Sequence, residues 1–239
     1  MKLLDLTLLT PAENLACDEA LLDACESGAG EEVLRFWEPS EYFVVLGYGN
    51  RAASEVKLDD CRTAGIPVLR RCSGGGTVLQ GPGCLNYSVI LRIAESSPLQ
   101  TIPGANKFLL DKNREALQSL VKGPIELRGQ TDLAIGNLKF SGNAQRRKRN
   151  FLIFHGTLLL NFEIGLIEKY LAMPSQQPDY RNNRPHEHFL MNLNIPADSV
   201  KTALISEWKA TQPLHVIPVE LIEELNDTRY VTDEWNFRI

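Results

Sequence analysis

The sequence has no C-x-x-C pair and, among four histidines, no cluster to match its cysteines, so it lacks the spacing of a structural zinc site. Its five cysteines are an odd number without framework spacing, which fits reduced thiols and a cytoplasmic protein better than a disulfide scaffold. No segment approaches the roughly 20 consecutive apolar residues that cross a bilayer. The opening "MKLLDLTLLTPAEN" is interrupted by Asp5 and closed by Pro11, without the small-residue cleavage pattern of a signal peptide. Neither export nor a membrane association is expected. Positive charge is also scarce: 25 Lys and Arg stand against 30 Asp and Glu, a net charge of -5, which argues against bulk nucleic-acid binding. There is no internal repeat and no low-complexity linker.

What remains is an ordinary globular composition, 239 residues with 44% hydrophobic and 23% charged, enough for a sizeable core. One domain spanning 1–239 is expected. "KLLDLTLLT" reads as a strand and "PAENLACDEALLDACESG" as a helix opened by Pro11 and stopped by Gly28. On that helix Cys17 and Cys25 read as small core residues. Two strands, "EVLRFWEP" and "YFVVLGYG", precede a helical "SEVKLDDCRTAG" with Ser54 as its expected N-cap. "IPVLRRC", "GTVLQ" and "CLNYSVILRI" have strand character between glycine turns. "ANKFLLDKNREALQSLVKG" is spaced as a helix, "TDLAIGNLKFSGNAQ" as a hairpin turning at Gly136-Asn137, and "FLIFHGTLLLNFE" as a buried strand. The last third is mainly helical. Without long βαβ alternation, the pattern predicts an α+β fold with a mixed, mostly antiparallel central sheet flanked by helices.

The densest chemistry lies in "RRCSGGGTVLQGPGCLNYS". Gly74, Gly75 and Gly76 lack Cβ atoms, so backbone there can take positive φ and ligands can approach its amides; a plain turn or bulge is the competing reading. The segment matches neither G-x-G-x-x-G nor G-x-x-x-x-G-K-[ST]. Arg70 and Arg71 could pair an anion, and strand alternation turns one of them away. Lys139 is either a solvated turn lysine or, beside the small and polar Ser141 to Ala144, a cation lining a ligand site. Asp132 could hold a metal ion or orient that lysine. His155, inside an apolar strand, is a structural histidine or an acid–base group. Cys84 is a candidate nucleophile or an inert buried thiol. The run Arg146-Arg147-Lys148-Arg149 is a charged loop that could steer an acidic partner.

Taken together, these segments resemble the lipoate-protein ligases of the biotin/lipoate ligase superfamily. The resemblance runs in order through "ENLACDEALL", "LRFWEPSEYFVVLGYGN", the glycine-rich segment, "TDLAIGNLKFSGNAQ", "HGTLLLNFE", "YRNNRPHEHFLMNL" and "WNF". It implies a biotin/lipoate ligase catalytic-domain fold and a two-step reaction. Lipoate attacks the α-phosphate of ATP to give lipoyl-AMP and pyrophosphate, and a carrier lysine then takes the acyl group. By position, Arg71, Gly74, Gly75, Gly76, Thr77, Val78, Leu79 and Lys139 would contact the nucleotide, with Lys139 the catalytic residue at the lipoyl carbonyl. The resemblance also makes Asp132 a Mg2+ or adenylate contact and His155 a pocket residue. The implied partner is the lipoyl domain of a 2-oxoacid dehydrogenase E2 or a glycine cleavage carrier protein.

Three departures stand out. A frequent Gly-Arg-Asn-Asp-Leu is here Gly129-Gln130-Thr131-Asp132-Leu133, which removes a positive charge; a frequent His-His-Gly is Phe154-His155-Gly156. The chain stops at "WNFRI" where many such ligases continue into an accessory domain, so a separate accessory chain is one expectation. The alternatives are an octanoyl or lipoyl transferase working through a Cys84 thioester without ATP, a biotin ligase, or a non-catalytic lipoate-binding protein. Nucleic-acid binding ranks last.

Overall fold

A computed structural model describes residues 1–174 and 176–239. Its strands are β1 (Lys2–Asp5), β2 (Val33–Trp37), β3 (Phe43–Leu46), β4 (Val68–Arg70), β5 (Val78–Gln80), β6 (Cys84–Arg92), β7 (Ile125–Arg128), β8 (Asp132–Ile135), β9 (Leu138–Arg147), β10 (Phe151–Leu159) and β11 (Gln212–Pro213). The helices are α1 (Pro11–Ser27), α2 (Ala52–Glu55), α3 (Leu58–Ala64), α4 (Ile102–Gln118), α5 (Gly165–Tyr170), α6 (His186–Phe189), α7 (Ala197–Trp208), α8 (Val219–Leu225) and α9 (Asp233–Asn236). Eight strands form one sheet in the order β11-β1-β2-β6-β10-β9-β8-β7, and β4-β3-β5 form a second. Pairing is antiparallel except at β1–β11, β1–β2 and β3–β4, so the sheet is mixed and mostly antiparallel, as its sequence pattern predicts.

Helix α1 begins on a reciprocal cap. The Thr10 hydroxyl accepts from the Glu13 amide at 3.2 Å, and the Thr10 amide donates to the Glu13 carboxylate at 2.7 Å. It ends at Gly28, whose φ of +85° suits a residue without Cβ. Leu15, Ala16 and Leu22 share one core cluster with Val33, Ile90 and Ile153 of the large sheet and with Phe43, Val45 and Leu69 of the small one. Packed against the large sheet and α8, α1 is apolar on more than one face, and its buried Asn14, Asp18 and Glu19 are exceptions that need partners. The opposite face of the large sheet, including Leu34, Phe36, Val89 and Phe154, packs on Leu109 and Leu117 of α4 and Leu204 and Trp208 of α7.

Register lays two polar rows across the α1 side of the large sheet. One runs Arg35, Ser88, His155, Ala144, and the next Trp37, Asn86, Thr157, Gly142, Asp132. Period-two alternation puts such residues on one face of otherwise apolar strands.

Several local expectations change. Ser54 does not cap a long helix: it lies within α2, its hydroxyl donating to the Arg51 carbonyl. The segment breaks at Val56, which pairs with Leu171, before α3 starts at Leu58. The Arg146–Arg149 run is not simply a loop, because Arg146 and Arg147 complete β9. Of the three consecutive glycines only Gly75 has positive φ, +90°. Strand β7 had no clear sequence signal.

Candidate functional site

A cleft of about 1170 Å³ opens on the polar rows. Arg71, Gly74 to Leu79, Asp132, Lys139 and His155 all line it, so the residues singled out in sequence share one cavity. Apolar surface comes from side chains such as Trp37, Val45, Phe140 and Ile167, a mixture suited to an elongated ligand with one charged end.

The glycine loop is held against β3 by absence of side chains. A Cβ on Gly47 would lie 2.1 Å from the Gly75 carbonyl oxygen, and one on Gly75 would lie 2.9 Å from Arg71 Nη2. Arg71 then ties the loop together: Nε donates to Ser73 Oγ at 3.0 Å, and Nη2 donates to the carbonyls of Gly74 and Gly76 at 2.5 and 2.9 Å. Burial pulls its pKa down to about 10, which leaves it a cation at neutral pH. Arg70 points elsewhere, as alternation requires. Fully buried, it donates to the carbonyls of Gly47, Asn50 and Asn236 and pins the C-terminal segment to β3.

On the β8–β9 hairpin, Lys139 Nζ lies 2.7 Å from Asp132 Oδ1, and Asp132 Oδ2 accepts from the Tyr180 hydroxyl at 2.8 Å. Burial and then the Asp132 charge raise the Tyr180 pKa, so the phenol stays protonated and donates. A bulge between Leu133 and Ala134 shifts the β8–β9 register so that Asp132 faces Gly142, where a Cβ would sit 2.8 Å from Lys139 Nζ. Glycine at 142 therefore makes room for the ammonium group. A Mg2+ ion at Asp132 would take most of its ligands from substrate phosphates and water. Asp132 is a lone carboxylate with each oxygen already bonded, and no group of three or more His, Cys, Asp or Glu among the described residues could hold an ion.

His155 joins a buried chain of polar groups. Its Nδ1 is 3.1 Å from Asp18 Oδ2 and its Nε2 is 2.5 Å from Ser73 Oγ. Asp18 also accepts from Ser88 Oγ at 2.7 Å and pairs with Arg35 Nη1 at 2.5 Å. Burial works to raise the Asp18 pKa, but Arg35, His155 and Ser88 outweigh it and hold the carboxyl below its ordinary range. An ionised Asp18 only accepts, so Nδ1 donates to it, and in the neutral ring Nε2 accepts from the Ser73 hydroxyl. Ser73 is wholly buried and also receives Arg71 Nε. The arrangement is a strut from α1 through β10 to Arg71. Asp18 and Ser73 carried no signal in the sequence beyond being polar residues between apolar or glycine neighbours.

Two further groups became visible only in the structure. Gln80, Thr157 and Asn86 close a ring of hydrogen bonds on the cleft wall, Gln80 Nε2 to Thr157 at 2.9 Å and Asn86 Nδ2 to Gln80 at 3.0 Å. Asn143 accepts from Tyr87 OH, itself held by Asn113 at 2.7 Å. Cys84 is not in the cleft. It is buried in a cluster with Val44 and Leu46, and burial pushes its thiol up to about 12, the opposite of an activated nucleophile. Cys17 and Cys25 are buried in the core as expected.

Comparison with known proteins gives one family. An octanoyltransferase LipM from Brevibacillus brevis is 26% identical over 267 residues, covering 96% of each chain. A crystal structure of lipoate-protein ligase A bound with ATP superposes with a TM-score of 0.82 at 26% identity, covering 99% of each chain. A bi-partite lipoate protein ligase from Thermoplasma acidophilum, described with its E2 lipoyl domain, shares the fold with a TM-score of 0.82 at 24% identity over 99% of this chain and 96% of that one. Residues 10–209 match the family model of the lipoyl protein ligase A/B catalytic domain, and with its cleft framed by the glycine loop and the lysine hairpin, the chain belongs to that family of lipoate ligases and acyltransferases.

Proposed function

We propose that this protein is a lipoate-protein ligase, joining lipoate to ATP as lipoyl-AMP and passing the lipoyl group to a carrier lysine. The observation that carries the reading is the placing of Lys139 Nζ, held by Asp132 at 2.7 Å, in the same cleft as Arg71 and the exposed Gly74–Gly76 backbone. In the first step a carboxylate oxygen of lipoate bonds to the α-phosphorus and pyrophosphate leaves. The Lys139 cation offsets charge that builds where carboxylate and phosphate meet, and the glycine loop offers side-chain-free backbone to the nucleotide. In the second step the carrier amine bonds to the acyl carbon, AMP leaves with the bonding pair, and the amine gives up a proton. Magnesium is assigned no protein ligand besides Asp132 in this scheme. The ATP-bound relative supports the nucleotide. The bi-partite relative and its lipoyl domain support a carrier of that type and a separate chain assisting activation.

The octanoyltransferase relative keeps a second reading open, acyl transfer without ATP. Among the described residues no cysteine lines the cleft, which favours the ligase. Purified protein mixed with lipoate, ATP, magnesium and a lipoyl domain should yield a domain heavier by one lipoyl group, together with lipoate-dependent pyrophosphate exchange. Transfer from an octanoyl carrier without exchange would select the second reading instead. Cys84→Ala should transfer at the wild-type rate within about twofold, since its buried thiol does not line the cleft; a trapped acyl-cysteine would refute this.

Tyr180→Phe should lower kcat/KM for transfer about tenfold, from losing one hydrogen bond of ~1–1.5 kcal/mol to Asp132. The loss should fall on kcat, because Tyr180 acts through Asp132 on Lys139. Unchanged kcat in single-turnover measurements would dismiss that role.

A further inference from the structure

The four basic residues that the sequence bunches together separate in the fold. Arg147 Nη2 donates to the carbonyls of Leu99 and Gln100 at 2.6 and 3.2 Å, and Lys148 pairs with Asp23, so both serve the scaffold. Arg146 stays exposed. It follows Gly142 and Ala144 on the cleft-facing row of β9, one pleat past the last residue of that row to line the cleft. Its guanidinium carbon lies 5.5 Å from the ring centre of Tyr48. Arg238, from the far end of the chain, lies 3.7 Å from the same ring and 4.9 Å from that of Trp235, and its Nη2 donates to the Tyr48 carbonyl at 3.0 Å. Arg229 covers Trp235 at 4.7 Å.

These groups make an alternating cluster of guanidinium groups and aromatic rings, Tyr48 and Trp235 meeting edge to face at 61°, in a chain whose net charge is -5. Arg229 is neutralised by Glu19 at 2.6 Å. Among the described residues, no carboxylate pairs with Arg146 or Arg238, and the exposed Asp233 and Glu234 of α9 reach neither. Tyr48 registers the excess: hydrogen bonding and charge from Arg238, then the charges of Arg146 and Arg229, pull its phenol below its ordinary value. The cluster adjoins the cleft at the glycine loop. The Tyr48 amide donates to the Ser73 carbonyl at 2.8 Å, and the next residues, Gly49 and Asn50, line the cavity.

We infer that Tyr48, Arg146 and Arg238 form a docking platform for an acidic face of the protein whose lysine receives the acyl group. This rests on the proposed transfer to a carrier and adds where that carrier sits. Position favours a protein over a nucleotide, because the guanidinium groups stand outside the cleft. Two unpaired guanidinium groups on an acidic chain are too few for a nucleic-acid track. Tyr and Arg are the residues enriched at protein interfaces, and an uncompensated rim charge speeds encounter with an opposite charge.

The test is the double variant Arg146→Glu/Arg238→Glu, assayed with a lipoyl domain at low and high salt. Pyrophosphate exchange and acyl transfer to hydroxylamine report the chemistry without the carrier. The expected result is a KM for the lipoyl domain raised roughly tenfold or more at low salt. The wild-type value should climb toward it as salt is added, with exchange and hydroxamate formation within about twofold of wild type. Because Arg238 also packs on Tyr48, the single variant Arg146→Glu, which loses no hydrogen bond, should raise that KM about threefold. An unchanged carrier KM in both variants overturns the platform while leaving the ligase reading intact. So does a rise in the KM for ATP in place of the carrier KM. Wild-type protein that neither exchanges pyrophosphate nor modifies the domain overturns the ligase reading, and the platform with it.

Discussion

Lys139→Ala is expected to reduce acyl-adenylate formation roughly 10²- to 10³-fold, the scale of removing one preorganised charge-stabilising donor. Lys139 lines the same cleft as Arg71, and its ammonium is oriented by Asp132 in the space that Gly142 leaves. Truncation removes the cation and leaves Asp132 with Tyr180 as its donor, so the local charge turns negative where an anionic carboxylate and phosphate must meet. Both half-reactions should suffer. The hairpin is held by backbone pairing to β8 and β10, so the variant should unfold within a few degrees of wild type. Lys139→Arg should not restore the rate, because a planar fork does not match a site shaped for a compact ammonium. Pyrophosphate exchange measures the first step and single-turnover transfer from preformed lipoyl-AMP the second. Wild-type rates in both would remove Lys139 from the chemistry.

Asp18→Asn should produce the largest loss of stability, about 3–5 kcal/mol, because it strands the wholly buried Arg35 without its counter-charge. Arg35 keeps neutral acceptors on Asn14 and Leu6, but its Nε has no partner, and none of these replaces the lost negative charge. Ser88 and His155 must then share with Arg35 the single oxygen of an amide where the carboxylate offered two, which loosens the strut behind Arg71. A double variant, Asp18→Asn/Arg35→Met, should recover part of the loss by removing the stranded charge. Urea denaturation measures all three chains.

The same carboxyl sets an acid limit. Its folded pKa lies below the ordinary value of 3.8, so its contribution is complete above that value and fades as pH falls through the folded one. Wild-type stability should therefore drop more steeply than that of Asp18→Asn below about pH 4. Parallel slopes would mean that Asp18 titrates alike folded and unfolded.

Much of the architecture was legible in the sequence. Helix α1 announced itself by Pro11 and Gly28, the hairpin by Gly136-Asn137, and the strands by short apolar runs between glycine turns. The misses share a cause. Ser54 is a good capping residue by type, yet the bridge from Val56 to Leu171 interrupts the segment, and a tertiary contact outweighs a local preference of about 1 kcal/mol. The basic run looks uniform in sequence, but its members meet different neighbours: Arg147 finds carbonyls, Lys148 a carboxylate and Arg146 a tyrosine ring. Cys84 borders the glycine segment in sequence, yet the strand it opens faces it into apolar packing.

By itself the sequence determined what depends on short range: which backbone can bend without Cβ atoms, where helices start, which strands alternate, and that Arg71, Gly74 to Leu79, Asp132, Lys139 and His155 were the groups worth following. Only the tertiary structure decided which of them meet. Asp18 reaches His155 and Ser73 because a helix, a strand and a loop converge there, and Asp132 reaches Lys139 and Tyr180 because one bulge resets a register. Contacts between distant positions follow from sheet order and register, which the whole core selects at once.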